Sequence, residues 1–146
     1  MAKYRKVLLA LDFFGDNNHV VEKGREVASE NDADLYLIHV IEPLSVAYAI
    51  DGLGVNEQLI AIESGIMHES KNKMIELSKE LGVPDERTLI CHGNPAHEIH
   101  GFAKEHDIDL IVLGTHGQKG LQLLLGSTAN SVLHGVSCDV LAVRIK

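Results

Sequence analysis

Tryptophan is absent from the chain, and with three Phe and three Tyr the aromatics reach only 4%. Single-stranded nucleic acid is commonly held by stacking bases on aromatic platforms, and there is little here to build one from. Cations are scarce as well. Thirteen Lys and Arg stand against 21 Asp and Glu, a formal charge of −8. A chain of that sign has no broad attraction to a phosphate backbone or an anionic lipid surface. The small basic start, Lys3, Arg5 and Lys6, does not reverse it. Only two cysteines occur, Cys91 and Cys138, with no CxxC spacing. They read as two reduced thiols on or near strands of a cytoplasmic protein. No apolar run approaches the length of a membrane span. The N-terminus runs through VLLA straight into Asp12, without the apolar region and cleavage site of a signal peptide.

What remains is an ordinary globular mixture of 45% apolar and 23% charged residues over 146 positions. That length points to one domain, residues 1–146, able to bury most of its apolar surface. Short, nearly continuous apolar runs alternate with helical patterns. The strand-like runs are VLLALD (7–12), DLYLIHVI (34–41), RTLICHG (87–93), DLIVLGT (109–115) and DVLAVRI (139–145). Between the first two, Asp16 or Asn17 can cap a helix whose apolar face is Val20, Val21, Gly24, Val27 and Ala28, stopped by Asn31-Asp32. Residues 57–81 carry Leu59, Ile62, Ile66, Met74, Leu77 and Leu81 at helical spacing, ended by Gly82 and Pro84. Asn94-Pro95 opens a third helix with Ile99, Phe102 and Ala103 inward. Ser127 or a neighbour caps a fourth, carrying Val132 and Leu133. Residues 42–55 hold a Pro and two Gly without a clear period and read as a loop.

The pattern is β-α-β-α-β-α-β-α-β. Continuous apolar strands alternating with helices argue a parallel sheet covered on both faces. Five strands of this kind take the order 3-2-1-4-5 or 2-1-3-4-5, and ligands bind outside the carboxyl ends of the strands that flank the switch point. In the first order those strands are 1 and 4, which brings Asp12 and the glycine-rich stretch from Gly114 into one crevice.

That stretch, GTHGQKGLQLLLGST (114–128), is the main lead to function. Gly114 and Gly117 permit close backbone approach. Gly126-Ser127-Thr128 opens a helix, whose first N–H groups and dipole suit phosphate. No GxxxxGK[ST] is present, and no GxGxxG follows the first strand, so neither a Walker loop nor a dinucleotide fingerprint is present. Glycines at strand ends are also common as plain turn residues.

The stretch, together with VSCDVLAVRI after it, VLLALD, LYLIHVIEP and GNPAHEIHGFAKEHDIDLIVLGTHG, resembles the universal stress protein family along essentially the whole chain. The resemblance implies a Rossmann-like α/β fold of the adenine nucleotide alpha-hydrolase-like kind. Its parallel sheet would have the order 3-2-1-4-5, with helices on both faces. It implies a homodimer formed largely through the fifth strand, Val140 to Ile145, and protein partners that no local motif names. In the ATP-binding branch of that family a Gly-x-x-Gly is followed by nine residues, Gly, and Ser or Thr. Here Gly114, Thr115-His116 and Gly117 fit, but only eight residues, Gln118 to Leu125, precede Gly126-Ser127. By resemblance, Asp12 would face the ribose or a bound metal such as Mg²⁺. Backbone groups near Val40 would meet adenine. Gly114, Gly117, Gly126, Ser127 and Thr128 would hold phosphates, with Thr115 and His116 inside the motif. The segment DFFGDN departs from the family, which often places Ser there.

Other readings are weaker. A response regulator needs a second acid after strand 3, where Cys91-His92 stands, and a flavodoxin needs a hydroxyl-rich loop after strand 1. His97 and His100 share a helix side near His92 but lack a completing ligand, and solvated histidines are the plainer account. His39 reads as a core histidine with a hydrogen-bond partner, Lys119 as a solvated loop lysine. Glu63, Glu69, Lys71, Lys73, Glu76 and Lys79 read as the solvated face of their helix. There is no triad, no paired acid and base and no positioned nucleophile. The expected function is an ATP-binding regulatory protein whose occupancy biases conformation or oligomeric state. A nucleotide-free dimeric module and a weak ATPase or phosphotransfer enzyme stand as alternatives.

Overall fold

Each of the five apolar runs becomes a strand, and each helical pattern a helix, in the computed structural model, which describes residues 3–13, 17–43, 57–115 and 127–144. The strands are β1 (Lys6–Leu11), β2 (Asp34–Ile41), β3 (Thr88–His92), β4 (Leu110–Gly114) and β5 (Asp139–Val143). The helices are α1 (Asn18–Asn31), α2 (Glu57–Leu81), α3 (Pro95–Glu105) and α4 (Ser127–Leu133). All neighbouring strands run parallel, in the order β3-β2-β1-β4-β5.

β1 lies at the centre and shows why its run is continuously apolar. Side chains alternate across a strand, so a strand buried on both faces must be apolar at every position. Val7, Leu9 and Leu11 pack with Val20 and Ala28 of α1 and Met74 of α2. Leu8 faces the opposite way, with Ile99, Phe102 and Ala103 of α3 and Val132 of α4. α1 can approach β1 closely because Gly24 has no side chain. A Cβ there would lie 2.2 Å from Leu9 Cδ2.

Three helix ends follow the sequence closely. Asn94 Oδ1 accepts the His97 N–H at 3.0 Å, with Pro95 in the first turn of α3. Gly82, at φ +70, turns the chain out of α2. α1 stops at Asn31, and Asp32 takes the left-handed conformation.

Several boundaries and faces differ from the sequence reading. β1 ends at Leu11, one residue before Asp12. Arg87 leaves β3 for a single 3₁₀ turn, Asp85–Arg87, where its guanidinium pairs with Asp34 at 3.1 Å. Thr115 and Arg144 lie just beyond β4 and β5, and Ile145 lies outside the described residues. Ile62 is 53% exposed and Leu133 41%. On α2, 100° per residue carries Ile62 to the flank of the stripe that begins at Leu59, and Ser70 and Ser78 are buried instead. Asn17 occupies the N-cap position of α1, but its side chain makes no capping bond there.

Candidate functional site

The strand order puts β1 beside β4, with Leu9 opposite Val112. Asp12 and Thr115, the first residues after these two strands, therefore leave the sheet at the same end of adjacent strands. Two other elements border that end. β2 stands on the other side of β1, with Leu11 opposite His39. β5 stands on the other side of β4, where the Thr115 N–H donates to the Val143 carbonyl at 2.9 Å. In open parallel sheets of this kind, ligands bind in a crevice outside the carboxyl ends of such a central strand pair.

Among the expected site residues, Asp12, Val40, Gly114 and Thr115 are described. Asp12 is half-buried just after β1, and its backbone is gripped by Asn17: the Asp12 N–H donates to Asn17 Oδ1 at 3.1 Å, and the Asn17 amide donates back to the Asp12 carbonyl. Gly114 closes β4 opposite Val143. Val40 pairs with Cys91 of β3, and its side chain packs against the core on the α3 side. Ser127 and Thr128 form the start of α4. His116, Gly117 and Gly126 lie outside the described residues, as do Lys119 and most of the loop 42–55.

Three side chains at this end were not expected as site residues. His39 is 3% exposed, and its Nδ1 lies 2.9 Å from the Leu11 carbonyl. A carbonyl can only accept, so the proton sits on Nδ1. Burial pushes the imidazole below its ordinary value. The Leu11 carbonyl and the Asp12 charge pull it back up, and the Lys73 charge adds to the lowering. Phe13 covers the ring, with centroids 4.6 Å apart. The third is Lys73. It stands on the face of α2 read as solvated, yet its Nζ donates to the Phe13 carbonyl at 2.8 Å. Glu69 lies 3.4 Å from the same nitrogen. The only sequence signal for Lys73 was its place beside the buried Met74, where a long side chain can lie along the helix flank.

A model of the universal stress protein family matches residues 3–144. The chain belongs to the universal stress protein family. Universal stress protein A homolog 2 of Coxiella burnetii is 41% identical over 147 residues, covering 100% of this chain and 99% of that one. The solved structure of the hypothetical protein MJ0577 superposes with a TM-score of 0.79 at 27% identity, over 98% of this chain and 97% of that chain. The universal stress protein from Archaeoglobus fulgidus, solved in complex with dAMP, superposes with a TM-score of 0.60 over 96% of this chain and 98% of that one. At 20% identity that likeness is one of fold.

The sequence reading has the histidines of α3 solvated; His97 is exposed, but His100 is half-buried. His100 Nε2 lies 2.8 Å from the Val132 carbonyl and so ties α3 to α4. Among the described residues no group of three His, Cys, Asp or Glu is placed to hold a metal ion. Cys91 and Cys138 are free thiols, half-buried, and burial raises both above the ordinary range. No described helix is long and apolar enough to cross a membrane.

Proposed function

We propose that this universal stress protein, as a single domain over 1–146, binds ATP with Mg²⁺ in the crevice between the ends of β1 and β4. Occupancy would bias its conformation or oligomeric state. The observation that carries the reading is the placement of Asp12 and Gly114–Thr115 at the same ends of adjacent central strands. The residues suit the ligand. A carboxylate at a strand exit can accept ribose hydroxyls or offer oxygen to Mg²⁺. The first backbone N–H groups of α4 can meet phosphate oxygens. The roles we assign are Asp12 to the ribose or metal, backbone near Val40 to adenine, and Gly114, Gly117, Gly126, Ser127 and Thr128 to the phosphates, with Thr115 and His116 inside the motif and against the nucleotide. The dAMP bound by the Archaeoglobus fulgidus relative agrees in ligand class.

We assign dimerisation to β5, Val140 to Ile145. β5 is an edge strand, and Val140, Leu141, Ala142 and Val143 are only half-buried in the single chain. A cavity of about 270 Å³ opens beside it, lined by Tyr4, Val27, Leu110, Asp139, Val140 and Leu141. An edge of this kind offers backbone groups to a second strand.

The test is a calorimetric titration of nucleotide-stripped protein with ATP and Mg²⁺, beside a Gly117→Val variant. Micromolar binding that the variant loses supports the reading. No binding up to millimolar ATP, with the dimer intact, overturns it. One observation favours that second outcome: only eight residues, Gln118 to Leu125, separate Gly117 from Gly126-Ser127. The chain would then be a nucleotide-free dimeric module working through protein partners.

A further inference from the structure

The exit of β1 is held in an unusual way. The carbonyls of Leu11, Asp12 and Phe13, three residues in succession, each accept a bond from a side chain of a different element. His39 of β2 takes the first at 2.9 Å, from 28 residues away. Asn17, at the head of α1, takes the second and also accepts the Asp12 N–H. Lys73 of α2 takes the third at 2.8 Å, from 60 residues away. Backbone groups leaving a strand need partners, and water or a local turn commonly serves. Here the partners belong to other elements, so the position of Asp12 is set by β2 and α2 as well as by its own loop.

The three ties differ in kind. His39 is part of the buried core, and Asn17 is local. Lys73 is charged, its side chain is 38% exposed, and it shares its ammonium with Glu69 on the solvent side. A charged donor makes the stronger bond to a carbonyl. It is also the tie that a movement of α2, or a competing acid on a partner, can withdraw.

We infer that Lys73 is a positioning residue for the crevice: by holding the Phe13 carbonyl it fixes the loop that carries Asp12 and couples α2 to ligand binding. This rests on the reading that the crevice takes a nucleotide. Holding Lys73 against Phe13 keeps Asp12 placed for ligand. Drawing α2 or the ammonium away frees the loop and weakens binding without touching any residue that contacts the ligand.

The experiment compares wild type, Lys73→Met and Lys73→Arg in two measurements: titration with ATP and Mg²⁺, and hydrogen exchange of the Asp12 and Phe13 amides. Methionine keeps the stem and the helix propensity and removes the donor. Arginine keeps a charged donor. The expected result is about tenfold weaker binding in Lys73→Met, the loss of one charge-assisted bond. Exchange at the two amides should be faster, and Lys73→Arg should recover both toward wild type. Unchanged affinity in Lys73→Met overturns the inference whatever exchange shows. Equal losses in Met and Arg variants overturn it too, since the donor would then not be what matters. If wild type takes no ATP, the nucleotide reading fails separately and exchange alone decides: unchanged exchange overturns the tie, and faster exchange sustains it. Should Lys73→Met not fold, Lys73→Gln is judged by the same two readouts.

Discussion

Acidification should weaken the fold through His39, and the size of the effect can be worked out. The imidazole is 3% exposed, and burial holds it below its ordinary value of 6.5. The folded chain therefore refuses a proton that the unfolded chain accepts. Such a group leaves stability intact above the unfolded value and removes it as pH falls from there toward the folded value. At pH 7.5 the unfolded state gains almost nothing. At pH 5.5, one unit below 6.5, its gain is RT ln 11, about 1.4 kcal/mol, if the folded ring is still neutral. That is a ceiling. The Leu11 carbonyl and the Asp12 charge favour the imidazolium, so part of the proton's cost is recovered in the folded state. For a domain of this size the ceiling corresponds to roughly 3–6 °C in Tm.

The assay is urea unfolding at pH 7.5 and 5.5 for wild type and His39→Gln. The variant begins less stable, because it loses the ring packed against Phe13. What matters is the pH-dependent drop in each protein. The other eight of the nine histidines are common to both proteins, so subtracting the two drops isolates position 39. Wild type should lose more than the variant, by up to about 1.4 kcal/mol. Equal drops, or a larger drop in His39→Gln, would show that burial does not govern this ring.

Three stability predictions concern the scaffold. Leu9→Ala empties a fully buried position on the central strand and should cost about 3–5 kcal/mol in urea unfolding, and a loss below 1 kcal/mol would contradict the packing described. Gly24→Ala gains about 1 kcal/mol of helix propensity but sets a Cβ 2.2 Å from Leu9 Cδ2, so a net loss of up to about 2 kcal/mol is expected. In a Leu9→Ala background the same change should turn neutral or stabilising, and a Gly24→Ala Tm at or above wild type would refute the close approach. Asn94→Ala removes the cap on the His97 N–H and should lower stability by about 1 kcal/mol, read from the same urea curves.

The scaffold was legible because its physics is periodic. A strand covered on both faces has to be apolar throughout, and β1 and β4 announce themselves that way. The span of α2 could be read residue for residue, because Gly82 and Pro84 stop it and its apolar spacing is helical. Its buried face was read less well. Ser70 and Ser78 sit inside, and the Ser78 hydroxyl turns back to the Ile75 carbonyl at 3.0 Å. A hydroxyl satisfied within its own helix can be buried without a partner elsewhere, and hydrophobic periodicity gives no sign of it.

The site was legible only as far as topology carries it. Strand order alone brings Asp12 and Gly114 together, and strand order follows from the β-α alternation and the resemblance. What fixes the geometry around Asp12 is a different class of information. Asn17 looked like a helix cap, since cap residues are Asn by preference, yet its amide serves the Asp12 backbone. Lys73 looked like one solvated lysine among several, since charge on a helix face predicts exposure on average. Its ammonium nonetheless reaches a carbonyl 60 residues away. Periodicity tells which face of an element is dry. It does not tell where the end of a long polar side chain settles, because that depends on which backbone groups a neighbouring element leaves unsatisfied. In this fold those groups lie at the exit of the central strand, where three elements supply the donors and where the proposed ligand would meet Asp12.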